Sequence, residues 1–129
     1  MRKIKFRLYN PTTKEMENIK SINFDTKTNE AFLTKNNRIN RAGKLSAFFP
    51  IMQFTGLKDS KGTEIYEGDI VEFKGVLFVV SYNENEAHYA LQTMRCGKLK
   101  NDSILTSFIA SIGEVVGNIH QNSELLKWK

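Results

Sequence analysis

Between Ile51 and Phe73 the chain reads IMQFTGLKDSKGTEIYEGDIVEF, where strand-forming residues are broken at short intervals by turn residues. Ile51 to Leu57 has strand character, and Gly56 marks a bulge or bend near its end. Lys58-Asp59-Ser60-Lys61-Gly62 is turn material, with Gly62 suited to a positive φ. Glu67-Gly68-Asp69 then bends the chain into Ile70 to Phe73, and Tyr66 stands just before that corner. Punctuation this dense leaves no room for a long helix and favours short strands joined by tight corners.

The same grammar runs on either side. KIKFRLY (3–9) alternates strictly, with Ile4, Phe6 and Leu8 on one face, as a half-buried strand requires. Asn10-Pro11-Thr12-Thr13 turns it into a return strand at Met16 to Ile19. Ile22 to Phe24 and Ala31 to Thr34 suggest a second hairpin. Residues 35–44, KNNRINRAGK, hold three Asn and a Gly and are expected to form a basic loop. Downstream, Lys74-Gly75 and Asn83 to Glu86 separate strands at Val76 to Tyr82 and Ala87 to Thr93. Cys96 to Ser103 reads as a polar connection. Strands are expected again at Ile104 to Phe108 and Gly113 to Ile119, followed by a short helical turn from Asn122 or Ser123. The expected fold is mainly β with little helix. An N-terminal β-hairpin lobe with the basic loop occupies 1–50. An SH3-like small barrel with a short C-terminal helical turn occupies 51–129, the two separate or sharing one core.

At 129 residues the chain is long enough to bury a core without covalent staples. Its single cysteine, Cys96, excludes an internal disulfide framework. The first residues lack the apolar stretch of a signal peptide, and the longest apolar run, Val76 to Val80, is too short to cross a bilayer. The expected location is the cytoplasm, without a membrane partner. Charge is divided unevenly. Through Lys58 there are twelve Lys/Arg against four Asp/Glu, whereas from Asp59 onward there are seven against ten. Such a division fits a nucleic-acid or acidic partner for the first part, or attraction between the two parts within or between subunits.

Met52 to Phe73 closely resembles the signature of the YopX-like family of phage and prophage proteins. The opening KIKFRLYN and the tail GEVVGNIHQNSELL (113–126) agree with it. The resemblance implies a largely β protein associated with temperate phages and carries over no biochemical activity. It assigns no role to residues 35–44 or 87–102.

The residues themselves offer little assembled chemistry. His88, His120 and Cys96 are scattered, with no zinc-like spacing, and neither a P-loop nor a dinucleotide fingerprint is present. No metal or cofactor is expected. Cys96 lies between Arg95 and Lys98, but no base stands near it in sequence, and a structural or incidental thiol is expected. Glu64, Glu67, Asp69 and Glu72 form an acidic cluster that would suit acid–base work or Mg²⁺ in a small hydrolase. Turn chemistry also accounts for them, and Gly56, Gly62, Tyr66, Gly68 and Asp69 then form a structural motif. Lys35, Arg38, Arg41 and Lys44 are candidate phosphate contacts, although no recognition helix or RNA-binding aromatic pattern accompanies them. The first expectation is a non-catalytic interaction module that forms a homo-oligomer. A nucleic-acid-binding accessory factor is the second, and the acidic-corner enzyme a distant third.

Overall fold

The computed structural model of the chain describes residues 2–25, 30–35, 38–41 and 50–126, with residues 21, 23–25, 30–35 and 38–41 described by their backbone. The protein is mainly β. It divides into two compact units, Lys3–Gln53 and Phe54 onward, with the first two residues grouped with the second unit.

In the first unit, β1 (Phe6–Asn10) pairs antiparallel with β2 (Glu15–Ile19) on one side and with Ile51–Gln53 of β6 (Ile51–Lys58) on the other. A three-stranded antiparallel sheet holds β3 (Ser21–Asp25), β4 (Glu30–Lys35) and β5 (Arg38–Arg41) in that order. Leu8 is buried, with Ile19, Ile22 and Ile51 packed against it. The β1–β2 turn is built by Asn10. Its side-chain oxygen accepts from the amides of Thr12 and Thr13, and its carbonyl accepts from Lys14 N–H at 2.7 Å. Lys14, at φ 60°, completes the reversal.

Two expectations change here. Ile4 precedes β1 and is exposed, so the alternation of 3–9 contributes Phe6 and Leu8 but not Ile4 to the strand. The basic stretch is not wholly a loop, because Arg38–Arg41 is a strand laddered onto β4 with Lys35 opposite Arg38 and Phe32 opposite Arg41. An adjacent strand able to satisfy backbone groups outweighs the turn tendency of its asparagines. Lys44, like the remainder of 42–49, lies outside the described residues.

The second unit is organised by a five-stranded antiparallel sheet in the order β11-β10-β9-β8-β12, comprising Lys98–Ile104, His88–Arg95, Val76–Asn83, Asp69–Phe73 and Glu114–Asn118. Ile65 of β7 (Glu64–Tyr66), Val71, Phe78, Val80, Leu91, Leu105 and Ala110 form its buried core. Val71, Val80 and Leu91 come from three adjacent strands, which gives the core a continuous β-branched and aliphatic floor. Edges fall at β11 and β12, and no pairing joins those two among the described residues.

Local chemistry explains the hairpins. Lys74-Gly75 (φ 50° and 78°) and Cys96-Gly97 (φ 52° and 76°) are two-residue turns with both positions left-handed, the geometry that matches strand twist. The second of these overturns the polar connection expected at 96–103, where β11 pairs with β10 from Lys98 to Ile104 with a register shift that skips Asp102. Asn83 repeats the device of Asn10. Its side chain accepts from Asn85 and Glu86 amides, and Ala87 N–H donates to its carbonyl at 2.8 Å.

The strand expected at 104–108 is also corrected. Only Ile104 belongs to a strand, and Ser107–Ile112 is a helix, α1. Thr106 caps it by accepting from Ile109 N–H at 3.3 Å, and Gly113 N–H closes it on Ile109 and Ala110 carbonyls. Burial of Ala110 and packing of Ile109 on the core decide for helix over the β tendency of Ile and Phe. A 3₁₀ turn, Ser123–Leu126, ends the described chain, and no described helix is long and apolar enough to cross a membrane.

Candidate functional site

The segment 54–69 is where the sequence is most punctuated, and its geometry is set by two buried carboxylates. Asp59, 6% exposed, stands at the head of the turn after β6. Its Oδ1 accepts from the backbone N–H of Lys61 at 2.9 Å and of Thr63 at 2.8 Å. Its Oδ2 accepts from Val115 N–H at 2.8 Å, reaching a residue 56 positions away on β12. The turn backbone closes through Gly62 N–H to the Asp59 carbonyl and Asp59 N–H to the Thr63 carbonyl. Ser60 N–H donates to Gly113 O at 3.0 Å, so side chain and backbone together fasten this turn along the outer edge of β12. Burial pushes the Asp59 carboxyl up, but amide donation from Val115, Thr63 and Lys61, with the Lys61 ammonium, prevails and holds it below its ordinary value of 3.8. Lys61 bridges to Glu114 at 2.9 Å, and this hydrogen bond raises the Lys61 pKa. The bridge offsets the like-charge pairing of Glu114 with Glu72 across β12 and β8.

Asp69, 2% exposed, governs the second corner by accepting from Tyr66 N–H at 2.8 Å. Gly68 lies at φ 84°, a conformation that a side chain would strain. Its N–H donates to Val80 O at 2.8 Å and its carbonyl accepts from Ile119 N–H at 2.9 Å, tying the corner to β9 and to the end of β12. Tyr66 is buried with its ring 5.6 Å from that of Phe54. Between these corners β6 is irregular, its register to β7 slipping between Phe54 and Lys58. Gly56, at φ 90°, absorbs the slip. The Thr55 hydroxyl replaces part of the missing ladder by donating to Ile65 O at 2.8 Å and accepting from Leu57 N–H.

Gly56, Gly62, Tyr66, Gly68 and Asp69 thus stand together in one stretch of corners. Asp69 is buried, Glu64 and Glu67 are half-buried, and Glu72 is exposed on β8. Among the described residues no three His, Cys, Asp or Glu gather in a manner that would hold a metal ion. Cys96 is exposed at its hairpin turn, His88 opens β10, and His120 follows β12, where its amide donates to the Asn118 side chain. Tyr89 of β10 meets Tyr82 edge-on at 5.3 Å. Burial first, and then the neighbouring Glu67, raises its phenol pKa. Of the basic candidates, Lys35 ends β4, Arg38 and Arg41 bound β5, and Lys44 is outside the described residues.

Sequence reasoning passed over Asp59 as one turn residue among several. An Asp three residues before a Gly is the available signal, because Asp at the first position of such a turn accepts from following amides. Asn122 was also missed in its true role. Its side chain accepts from Asn118 N–H at 3.1 Å rather than capping the final turn, and it lies so close to Gly117 that a Cβ there would meet it at 2.6 Å.

The fold is similar to that in the crystal structure of protein EF1440 from Enterococcus faecalis. The two chains are 25% identical, with a TM-score of 0.56 over 98% of this chain and 100% of that one. No curated protein matches the sequence. The model of the YopX protein family matches residues 5–127, which takes in both units and both buried-carboxylate corners. The chain belongs to the YopX protein family.

Proposed function

We propose that this protein is a phage-derived, cytoplasmic interaction module that works by contact with further copies of itself rather than by catalysis. One observation carries the reading. The most buried carboxylates of the most distinctive segment, Asp59 and Asp69, point at backbone amides and hold corners in place. Asp59 engaged in that way is a poor general base, because its proton affinity is lowered and its lone pairs are occupied. The motif therefore makes sense as a scaffold that presents surfaces. We also read the second unit as an SH3-like small barrel. Support comes from its strand order, with β12 beside β8 and a short helix ahead of the last strand. That architecture serves many unrelated functions and names none of them.

Sedimentation equilibrium across a wide concentration range tests the reading directly. Assembly into a defined oligomer is expected, and a monomer at all concentrations and salt conditions would overturn it.

A second reading, nucleic-acid binding, draws support from the register of the basic hairpin. Lys35 lies opposite Arg38, placing two cationic positions at one end of the ladder, within a unit holding ten Lys/Arg against four Asp/Glu. Arg41 is three positions from Arg38, an odd interval that strand alternation does not bring to one face. Salt-sensitive retention on DNA or RNA, lost in the double variant Arg38→Ala, Arg41→Ala, is the expected result of this second reading.

A further inference from the structure

The sheet of the second unit carries a two-stranded arm. β10 pairs with β9 only as far as Gln92 opposite Val79, and its last three residues pair with β11 alone. Residues 93–100 are therefore a ribbon of two strands closed by the Cys96-Gly97 turn. At its base the β10–β11 register shifts between Leu91 and Gln92, leaving Asp102 without an opposite residue. Such a bulge bends a ribbon and increases its twist. Across that base the Gln92 side chain donates to Asn101 Oδ1 at 3.0 Å.

The arm is charged on one side. Arg95 stands opposite Lys98 and Thr93 opposite Lys100, so these four share a face, while Met94 and Leu99 share the other. Arg95, Lys98 and Lys100 are all exposed. These eight residues hold three of the second unit's nine Lys/Arg and none of its ten Asp/Glu. Asp102 meets Arg95 at 3.4 Å, but this is an exposed pair, which holds its partners weakly. Lys98 and Lys100 form no ion pair among the described residues. Charge of either sign guards a sheet edge, so guarding alone does not call for three cations without an acid.

A face of one sign fits a partner of uniform opposite charge, whereas protein surfaces mix both signs. Among polyanions, B-form DNA has a major groove about 12 Å wide, which admits a two-stranded β-ribbon. The deep, narrow major groove of A-form RNA does not. From this juxtaposition we propose that residues 93–100 are an arm that binds duplex DNA in its major groove, with Arg95, Lys98 and Lys100 on the phosphates. The inference rests on the nucleic-acid reading above and adds to it a surface in the second unit.

Fluorescence anisotropy of a labelled, mixed-sequence DNA duplex, titrated with the full chain over a range of salt, tests this. Wild type is compared with the double variant Lys98→Ala, Lys100→Ala, with circular dichroism checking that the variant is folded. Both side chains are exposed, so the fold is expected to survive. The expected result is salt-sensitive duplex binding that is about tenfold weaker in the variant at low salt. The slope of log affinity against log salt should fall in magnitude by about two. A folded variant with wild-type affinity and slope would overturn the arm while leaving the nucleic-acid reading standing. Poly-glutamate or an RNA duplex competing as well as unlabelled DNA would overturn duplex DNA as the occupant. No binding by wild type at low salt would overturn both readings.

Discussion

Asp59 accepts from three backbone amides, one of them 56 positions away on β12, and its ionisation is coupled to folding. Its carboxyl is held below the ordinary 3.8 in the folded chain, so as the pH falls the unfolded state takes up this proton first. The associated stability is present above the unfolded value and is lost as the pH drops through the folded one. Urea midpoints measured from neutral pH to below pH 3 are expected to decline on the acid side, and Asp59→Asn is expected to flatten that limb. At neutral pH the same substitution costs about 1–3 kcal/mol, because charge-assisted acceptance from three amides is weakened. Gly117 is demanding for a different reason, since an added methyl would meet Asn122 at 2.6–2.8 Å. Gly117→Ala should lower stability by about 1–3 kcal/mol through overpacking, and most of that loss should vanish in an Asn122→Gly background. A double-mutant cycle in thermal or urea unfolding reads this coupling.

Among the elements, the hairpins separate what neighbouring residues dictate from what packing dictates. Lys74-Gly75 is legible from its dipeptide, and the structure has it as a left-handed pair. Cys96-Gly97 has the same geometry and went unread because the residues after it, KLKNDSI, are polar and lack the apolar alternation of a half-buried strand. β11 is exposed throughout, and its pairing with β10 rather than burial makes it a strand. Lys98, Lys100 and Asp102 on that edge discourage further strands from adding to it. Both turns carry a residue poorly suited to positive φ at the first position. Lys74→Asn and Cys96→Asn are each expected to raise stability by several tenths to about 1 kcal/mol, read as a higher urea midpoint, since Asn tolerates the left-handed region. The helix α1 was misread for a related reason. Ile104 to Phe108 has β-forming residues, yet Thr106 and Gly113 bracket a helix whose buried side is Ala110.

In the molecule as a whole, two units each keep their own buried residues. Among the described side chains, the first has a buried group around Leu8 and the second one centred on Ile65, Val71, Val80 and Leu91. Ile65→Ala removes a side chain with 0% exposure and should cost about 2–5 kcal/mol, measured by urea unfolding. The division between units falls inside β6, after Gln53, so one strand serves a ladder in each unit. Charge does not follow the same line cleanly: the first unit holds ten Lys/Arg against four Asp/Glu, and the second nine against ten.

Strand alternation, glycine corners and asparagine turns act over a few residues, and for that reason the mainly β character and most strand positions can be read directly from the chain. The family could be read there too, because its signature lies in a continuous run from Met52 to Phe73. Contacts between distant segments carry no such local mark. The grip of Asp59 on Val115, the closeness of Gly117 to Asn122 and the outward face of α1 exist only once the sheet has brought its strands together. Burial and backbone pairing, which depend on the whole chain, assign those residues their roles.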